Sequence, residues 1–280
     1  MRIGQCVWGR ALCLSSDSMV TRRGVAGPGV RGQAESMSIK GSEPYRASEQ
    51  KALSWSELVC YLVAGFGTLL SGSVVLSLVL EVGTLQDTVA RYLLNALVLT
   101  GTVYLLGVRR GRVSWEELGF RPVVWRWSWV LLAIVLAVGL MPLRSAIGVA
   151  VQYFFSEGPE SIDSRMDVLL PGFEFSWVTF GLSVVGAGVI VPIAEELYFR
   201  GLIHTRLKSR LGYCARVLLS SIIFGLAHVD SIGVAASSLI MGIANAIALE
   251  ESGSIWLPIA IHVVTNTFVV VLLNLVLALL

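Results

Sequence analysis

Two adjacent glutamates, Glu195 and Glu196, close a long apolar run, and Arg200 follows one helical turn later. Residues 176–193 carry no charge, so a helix there is of the kind that crosses lipid, where a charged side chain costs roughly 2.5 to 3.5 kcal/mol on insertion scales. Such residues persist where something needs them. On a helix Glu196 and Arg200 stand at i and i+4 and can pair, whereas Glu195 points about 100° away from that partner. One carboxylate is expected to be structural and the other to do chemistry. Of the chain's 3 histidines, His228 and His262 also fall in apolar segments, and Asn266 lies one turn beyond His262 on the same face. A carboxylate base, imidazoles, an amide donor and an arginine that positions a carboxylate are enough to activate water against an amide bond. Taken singly, an intramembrane histidine is more often a satisfied packing residue and a glutamate pair a snorkelling helix end. Their joint occurrence at compatible depth favours a site.

The segments that must carry these groups are membrane spans. With 280 residues, 55% apolar, 14% charged and a mean hydropathy of +0.76, the composition is that of a polytopic all-α bundle, since lipid leaves backbone groups no outside partner. About seven spans are expected: 58–82, 89–108, 128–153, 176–197 with a continuation to 207, a fifth from about Arg216 carrying Phe224 and His228, 232–249, and a last one from about Ser254. Pro142 could kink the third, and Pro258 and Asn274 leave room for a break in the last. Arg144 reads as a snorkelling residue near an interface, His204 as interfacial, Phe224 as packing on the wall of the site, and Asn245 as an interhelical hydrogen bond. Glu195 lies 12 residues before Leu207 and His228 lies 12 after Arg216. In an antiparallel hairpin both would stand about 18 Å from the turn.

Charge sets the expected orientation. Arg109, Arg110, Arg112, Arg121 and Arg126 follow the second span, and Arg206, Lys208, Arg210 and Arg216 follow the fourth. Residues 154–175 carry Glu157, Glu160, Asp163, Asp167 and Glu174 against Arg165. The positive-inside rule then puts the amino terminus and the basic turns in the cytoplasm, the acidic loop and the carboxyl terminus outside, and the glutamates toward the cytoplasmic half. Trp125, Trp127 and Trp129 suit an interfacial belt. Residues 1–50 are read as a disordered or mis-assigned extension, since Arg10, Ser15, Ser16 and Asp17 interrupt the one apolar stretch a signal peptide would need. The transmembrane domain is 51–280, with its core motifs in 190–270. A net charge of +2 is too small to suggest a nucleic-acid partner, and the basic residues fall in interhelical loops rather than in one patch. Cys6, Cys13, Cys60 and Cys214 form neither a CxxC pair nor a disulfide framework, and no phosphate loop or solenoid repeat is present.

Three stretches, E-E-L-Y-F-R-G (195–201), F-G-L-A-H (224–228) and H-V-V-T-N (262–266), resemble in order the motifs of the CAAX prenyl endopeptidase and bacteriocin-processing family, also called CPBP or Abi. The likeness extends from about Val108 to Phe268 and takes in W-E-E-L-G-F-R and G-S-I-W-L-P-I-A-I-H. It implies an intramembrane endopeptidase in which Glu195 and His228 activate water, His262 and Asn266 stabilise the oxyanion, and Glu196 and Arg200 hold the site together, with Phe224 as a further support. A zinc reading with Glu195, His228 and His262 as ligands competes with cofactor-free glutamate chemistry; HExxH is missing, and Asn266 suits an oxyanion donor better than a ligand. No GxSG serine or GxGD aspartyl motif is present. The implied partners are a lipidated or membrane-inserted peptide or protein and the bilayer itself, in a prokaryotic plasma membrane. Two other classes remain: a membrane protein that binds a peptide without cutting it, such as a bacteriocin-immunity protein, and a proton-coupled transporter, which lacks the expected inverted repeats.

Overall fold

The apolar runs form helices because only a helix satisfies its own backbone in lipid. The computed structural model describes residues 52–121, 127–155, 175–228 and 231–279, and these belong to one compact unit, 47–280. Seven helices carry them: α1 (Trp55–Val79), α2 (Leu85–Val108), α3 (Trp127–Phe154), α4 (Trp177–Leu207), α5 (Tyr213–Leu226), α6 (Ile232–Ser252) and α7 (Trp256–Leu279). No strand occurs among the described residues, so the fold is an all-α polytopic bundle. Six helices are long and apolar enough to cross a membrane. The expected fifth span is α5, which at 14 residues is only about 21 Å long. Its chain leaves the helix at Ala227, and Ser231 opens α6 as an N-cap accepting from Val234 N–H. Residues 1–50, the tryptophan belt at 125–129 and the acidic loop fall outside the described residues or side chains, apart from the flanking Phe154, Phe155 and Phe175.

α4 begins with a reciprocal cap. Ser176 Oγ accepts from Thr179 N–H while Thr179 Oγ1 accepts from Ser176 N–H, which satisfies two donors that a helix start otherwise leaves bare. Two wider π-helical stretches, Val184–Ile190 and Leu197–His204, flank the short α-helical piece Val191–Glu196. Pro192 accounts for the first, since its ring cannot donate and crowds the carbonyl four residues back in a tight α-turn. In α7, Pro258 falls in the first turn, where its missing N–H has no intrahelical acceptor to serve, and Asn274 bonds Val270 O at 2.9 Å within the helix. The helix therefore runs unbroken to Leu279.

α6 is the central helix, packed on α3, α5 and α7, while α4 packs on α2 and α7. Small residues let it approach. A Cβ on Gly233 would lie 2.6 Å from Gly148 O of α3, and one on Gly242 would lie 3.0 Å from Ser221 Cβ of α5; small residues at such crossings let backbones come close. The main core gathers Tyr198, Phe199, Leu202, Ile203, Phe224, Met241, Leu257 and Ile261 about the motif-bearing half of α4. One end of the bundle collects the basic turns: Arg210 Nε and Leu53 O bond, Ser209 Oγ takes Leu53 N–H, and Ile255 N–H reaches Gly119 O.

Candidate active site

Glu196 is fully buried, and its carboxylate is met from α6, from α7 and from the next turn of its own helix. Its Oε1 accepts from Asn245 Nδ2 of α6 at 2.8 Å and meets His262 Nδ1 of α7 at 2.7 Å. Its Oε2 lies 3.3 Å from Arg200 Nε, which makes the expected i,i+4 pair. That contact is ionic rather than an aligned hydrogen bond, because neither atom has a hydrogen-bond partner among the described residues. The aligned bond of Arg200 goes from Nη2 to Gly242 O at 3.0 Å. Its guanidinium also lies 4.4 Å over the Phe224 ring, a cation–π contact strengthened by desolvation. Phe224 is thereby the floor of the site: its ring meets Phe199 at 4.9 Å, His228 at 4.9 Å and His262 at 5.8 Å.

Glu195 faces elsewhere, as the helix geometry requires. Its side chain keeps 11% exposure against none for Glu196, and its Oε2 stands 3.7 Å from His262 Nε2. His262 thus lies between the two acids. An ionised carboxylate only accepts, so the Nδ1 of His262 facing Glu196 carries a proton and the ring is turned to present Nε2 toward Glu195. His228, just past α5, has Nδ1 2.9 Å from Phe224 O. A carbonyl also only accepts, so the Nδ1 of His228 facing it carries a proton.

His228, His262 and Asn266 line one cavity of about 300 Å³, shared with Phe224 and with Met141 and Arg144 of α3. The structure therefore brings together all seven residues singled out: Glu195 beside His262, Glu196 with Arg200, and Phe224, His228, His262 and Asn266 on the cavity. Asn266 is held by a long bond, 3.4 Å, from Nδ2 to Ala187 O. Two placements differ from expectation. Arg144 does not snorkel outward but turns to the cavity and donates from Nε to Ser237 O at 3.2 Å; a charge inside an apolar span was its signal. His204 is not interfacial but fully buried, with Nδ1 2.9 Å from Ser220 Oγ and Nε2 2.6 Å from Glu250 Oε1. Asn245 makes the expected interhelical bond, and its acceptor is Glu196 itself.

Among the described residues no three His, Cys, Asp or Glu side chains gather as a metal set. Glu196 is committed to Arg200 and His262, and the first nitrogen of each histidine to an oxygen of the protein. The Nδ1 contacts of His228 and His262 are of the kind that zinc-ligating histidines also make.

Against this geometry stands the family comparison. Residues 175–268 match the model of the Rce1-like family, described as type II CAAX prenyl endopeptidase Rce1-like. The resemblance seen in the motifs is borne out over that segment. The matched segment runs from the cap of α4 into the middle of α7, and so contains every residue of the three motifs; residues 108–174 lie outside it. Over 91 residues the chain is 33% identical to the Bacillus subtilis (strain 168) protein named "Putative membrane peptidase YdiL", covering 32% of this chain and 37% of that protein. The chain thus spans a little over a third of the length of the relative it matches. No solved structure matches.

Proposed function

We propose that this chain is an integral membrane endopeptidase that hydrolyses a peptide bond of a lipidated or membrane-inserted substrate. One observation carries the reading: His262 sits between Glu195 and Glu196 on the cavity that His228 and Asn266 also line. Glu195, the partly exposed acid, takes a proton from a water in the cavity, with His228 as the second acceptor for that water. The attack leaves a negative oxygen, which Asn266 Nδ2–H and His262 stabilise. Glu196 keeps His262 in orientation through Nδ1, and Arg200 balances the charge of Glu196. The intermediate then collapses to a carboxyl group and its C–N bond breaks as the proton on Glu195 passes to the leaving amine, which returns Glu195 to its starting state.

The basic end supports a cytoplasmic site in a prokaryotic plasma membrane. α4, at 31 residues, is about 46 Å long, and Glu195 lies about 18 Å from its basic end. The positive-inside rule makes that end cytoplasmic.

The test is cleavage of a pool of lipidated and membrane-inserted peptides by purified wild type and Glu195→Gln, each with and without a chelator. Wild type is expected to cleave in both conditions, and Glu195→Gln to lose at least 100-fold, the scale of a missing general base. Loss on chelation would replace the glutamate mechanism with the zinc one. Folded wild type that binds peptides and cuts none would make the chain a peptide-binding protein.

A further inference from the structure

At the basic end, away from the carboxylates, a second cavity of about 310 Å³ opens between the start of α1 and the turn after α2. Its polar walls are Ser54, Ser56, Glu57, Arg110 and Arg112, with Leu106 below them. That volume is at the lower edge of small-ligand sites, about 300 to 1,000 Å³. It suits a headgroup rather than a whole lipid.

The charge of the lining resolves by geometry. Glu57 is turned to the protein: buried Arg206 contacts its Oε1 at 3.1 Å, and the Tyr61 hydroxyl donates to the same oxygen. With Glu57 balanced from inside by Arg206, the cavity wall also carries the guanidinium side chains of Arg110 and Arg112. Ser54 Oγ accepts from Glu57 N–H and shares one hydrogen bond with Ser56 Oγ at 3.0 Å. A single bond between two hydroxyls leaves one O–H of the pair to donate outward.

What lies next to the cavity is equally specific. Val59 and Val63 on α1 and Tyr104 and Leu105 on α2 are 48 to 63% exposed, on helices of membrane-spanning length and composition. A ligand seated here meets cations and a hydroxyl at one end and lipid-facing hydrocarbon at the other. We infer that this cavity binds the phosphate headgroup of an anionic phospholipid, with the acyl chains lying along α1 and α2. Basic pockets between spans at a cytoplasmic surface recognise such headgroups through charge that zwitterionic lipids do not match. The site is separate from the carboxylates and does not rest on the peptidase reading.

The experiment titrates the purified full chain with phosphatidylglycerol or phosphatidylcholine and counts bound lipid by native mass spectrometry. Phosphatidylglycerol is expected to bind at least tenfold more tightly, and millimolar inorganic phosphate to leave it in place. Arg110→Gln with Arg112→Gln is expected to weaken phosphatidylglycerol about 30-fold, which is about 2 kcal/mol at 1.4 kcal/mol per decade. Arg109→Gln with Arg121→Gln, exposed arginines at the same end but off the cavity, should change it less than threefold. Equal binding of the two lipids overturns the inference, as does equal loss in the two double variants. Displacement by inorganic phosphate would make this a free-anion site instead. Arg110→Gln alone, at an exposed position, guards against misfolding: melting as wild type while binding phosphatidylglycerol undiminished, it also refutes the proposal.

Discussion

Replacing Arg200 by methionine removes a fully buried cation whose volume methionine roughly keeps. Three contacts go with it: the 3.3 Å ion pair to Glu196, the 3.0 Å bond to Gly242 O and the stack on Phe224 at 4.4 Å. Breaking a buried pair by deleting one partner costs about 3 to 5 kcal/mol, because the other charge is left uncompensated. Adding about 1.5 to 3 kcal/mol for a charged hydrogen bond and about 2 for a desolvated cation–π contact would double-count, since all three act through one guanidinium. Glu196 keeps Asn245 Nδ2 and His262 Nδ1, which places the expectation at the lower end, about 3 kcal/mol. The discriminating measurement is a double-mutant cycle by equilibrium unfolding in mixed micelles of a mild detergent and dodecyl sulfate. Glu196→Gln preserves shape and both interhelical bonding directions while removing the charge that Arg200 balances. The double variant should therefore be more stable than Arg200→Met alone, with a coupling of about 2 kcal/mol, within the range for residues in contact. Strictly additive losses, or an Arg200→Met cost under about 1 kcal/mol, would refute the idea that charge compensation holds this corner of the site.

Two further outcomes follow from packing and polarity. Gly186→Ala should destabilise by about 1 to 3 kcal/mol through overpacking, because its Cβ would fall 2.1 Å from the Tyr92 ring; Gly101→Ala, with nothing within 4 Å, should be neutral or gain up to about 1 kcal/mol of helix propensity. Thermal melts of both variants check the contrast, and equal shifts would dismiss the tight α2–α4 contact. Asn245→Ala should cost about 1.5 to 3 kcal/mol for a lost bond to a buried carboxylate, and unfolding midpoints unchanged from wild type would show that Glu196 does not need α6.

The parts of this site legible in the sequence are those that helical periodicity alone decides. Glu196 with Arg200, and His262 with Asn266, are one turn apart, so each pair shares a face whatever the rest of the chain does. The opposite direction of Glu195 follows from the same 100° step. Arg144 was harder, because α3 is apolar all round and offers no contrast between faces; its inward turn depends on α6 coming close through Gly148 and Gly233. His204 was misread because the basic turn nearby suggests an interface, while Glu250, 46 residues later, draws it inward. The end of α5 was hidden for a related reason. Apolar residues continue to Val229 and resume at Ile232, so only the polar pair Asp230 and Ser231 hinted that one expected span would be a short helix followed by a fresh cap. The π-helical stretches left no sequence mark beyond Pro192.

The two neighbouring glutamates have opposite fates because their side chains leave α4 about 100° apart and three other helices converge on the face that carries Glu196. α6 brings Asn245 and Gly242 O, α5 brings Phe224, and α7 brings His262, all onto Glu196 and Arg200. A buried ion pair is weak evidence for stability, since similar apolar packing often serves as well. What apolar residues could not supply is an acceptor that fixes the proton of His262 on Nδ1. With that proton fixed, Nε2 is aimed at Glu195 and the cavity. Exchanging the roles of the two acids would need the approach of α6 and α7 rotated by about 100° around α4. A single carboxylate moved along the chain could not do it, which is why Glu195→Gln and Glu196→Gln should separate cleanly. The first should remove chemistry from an intact fold; the second should keep the bond to His262 but lose its charge assistance.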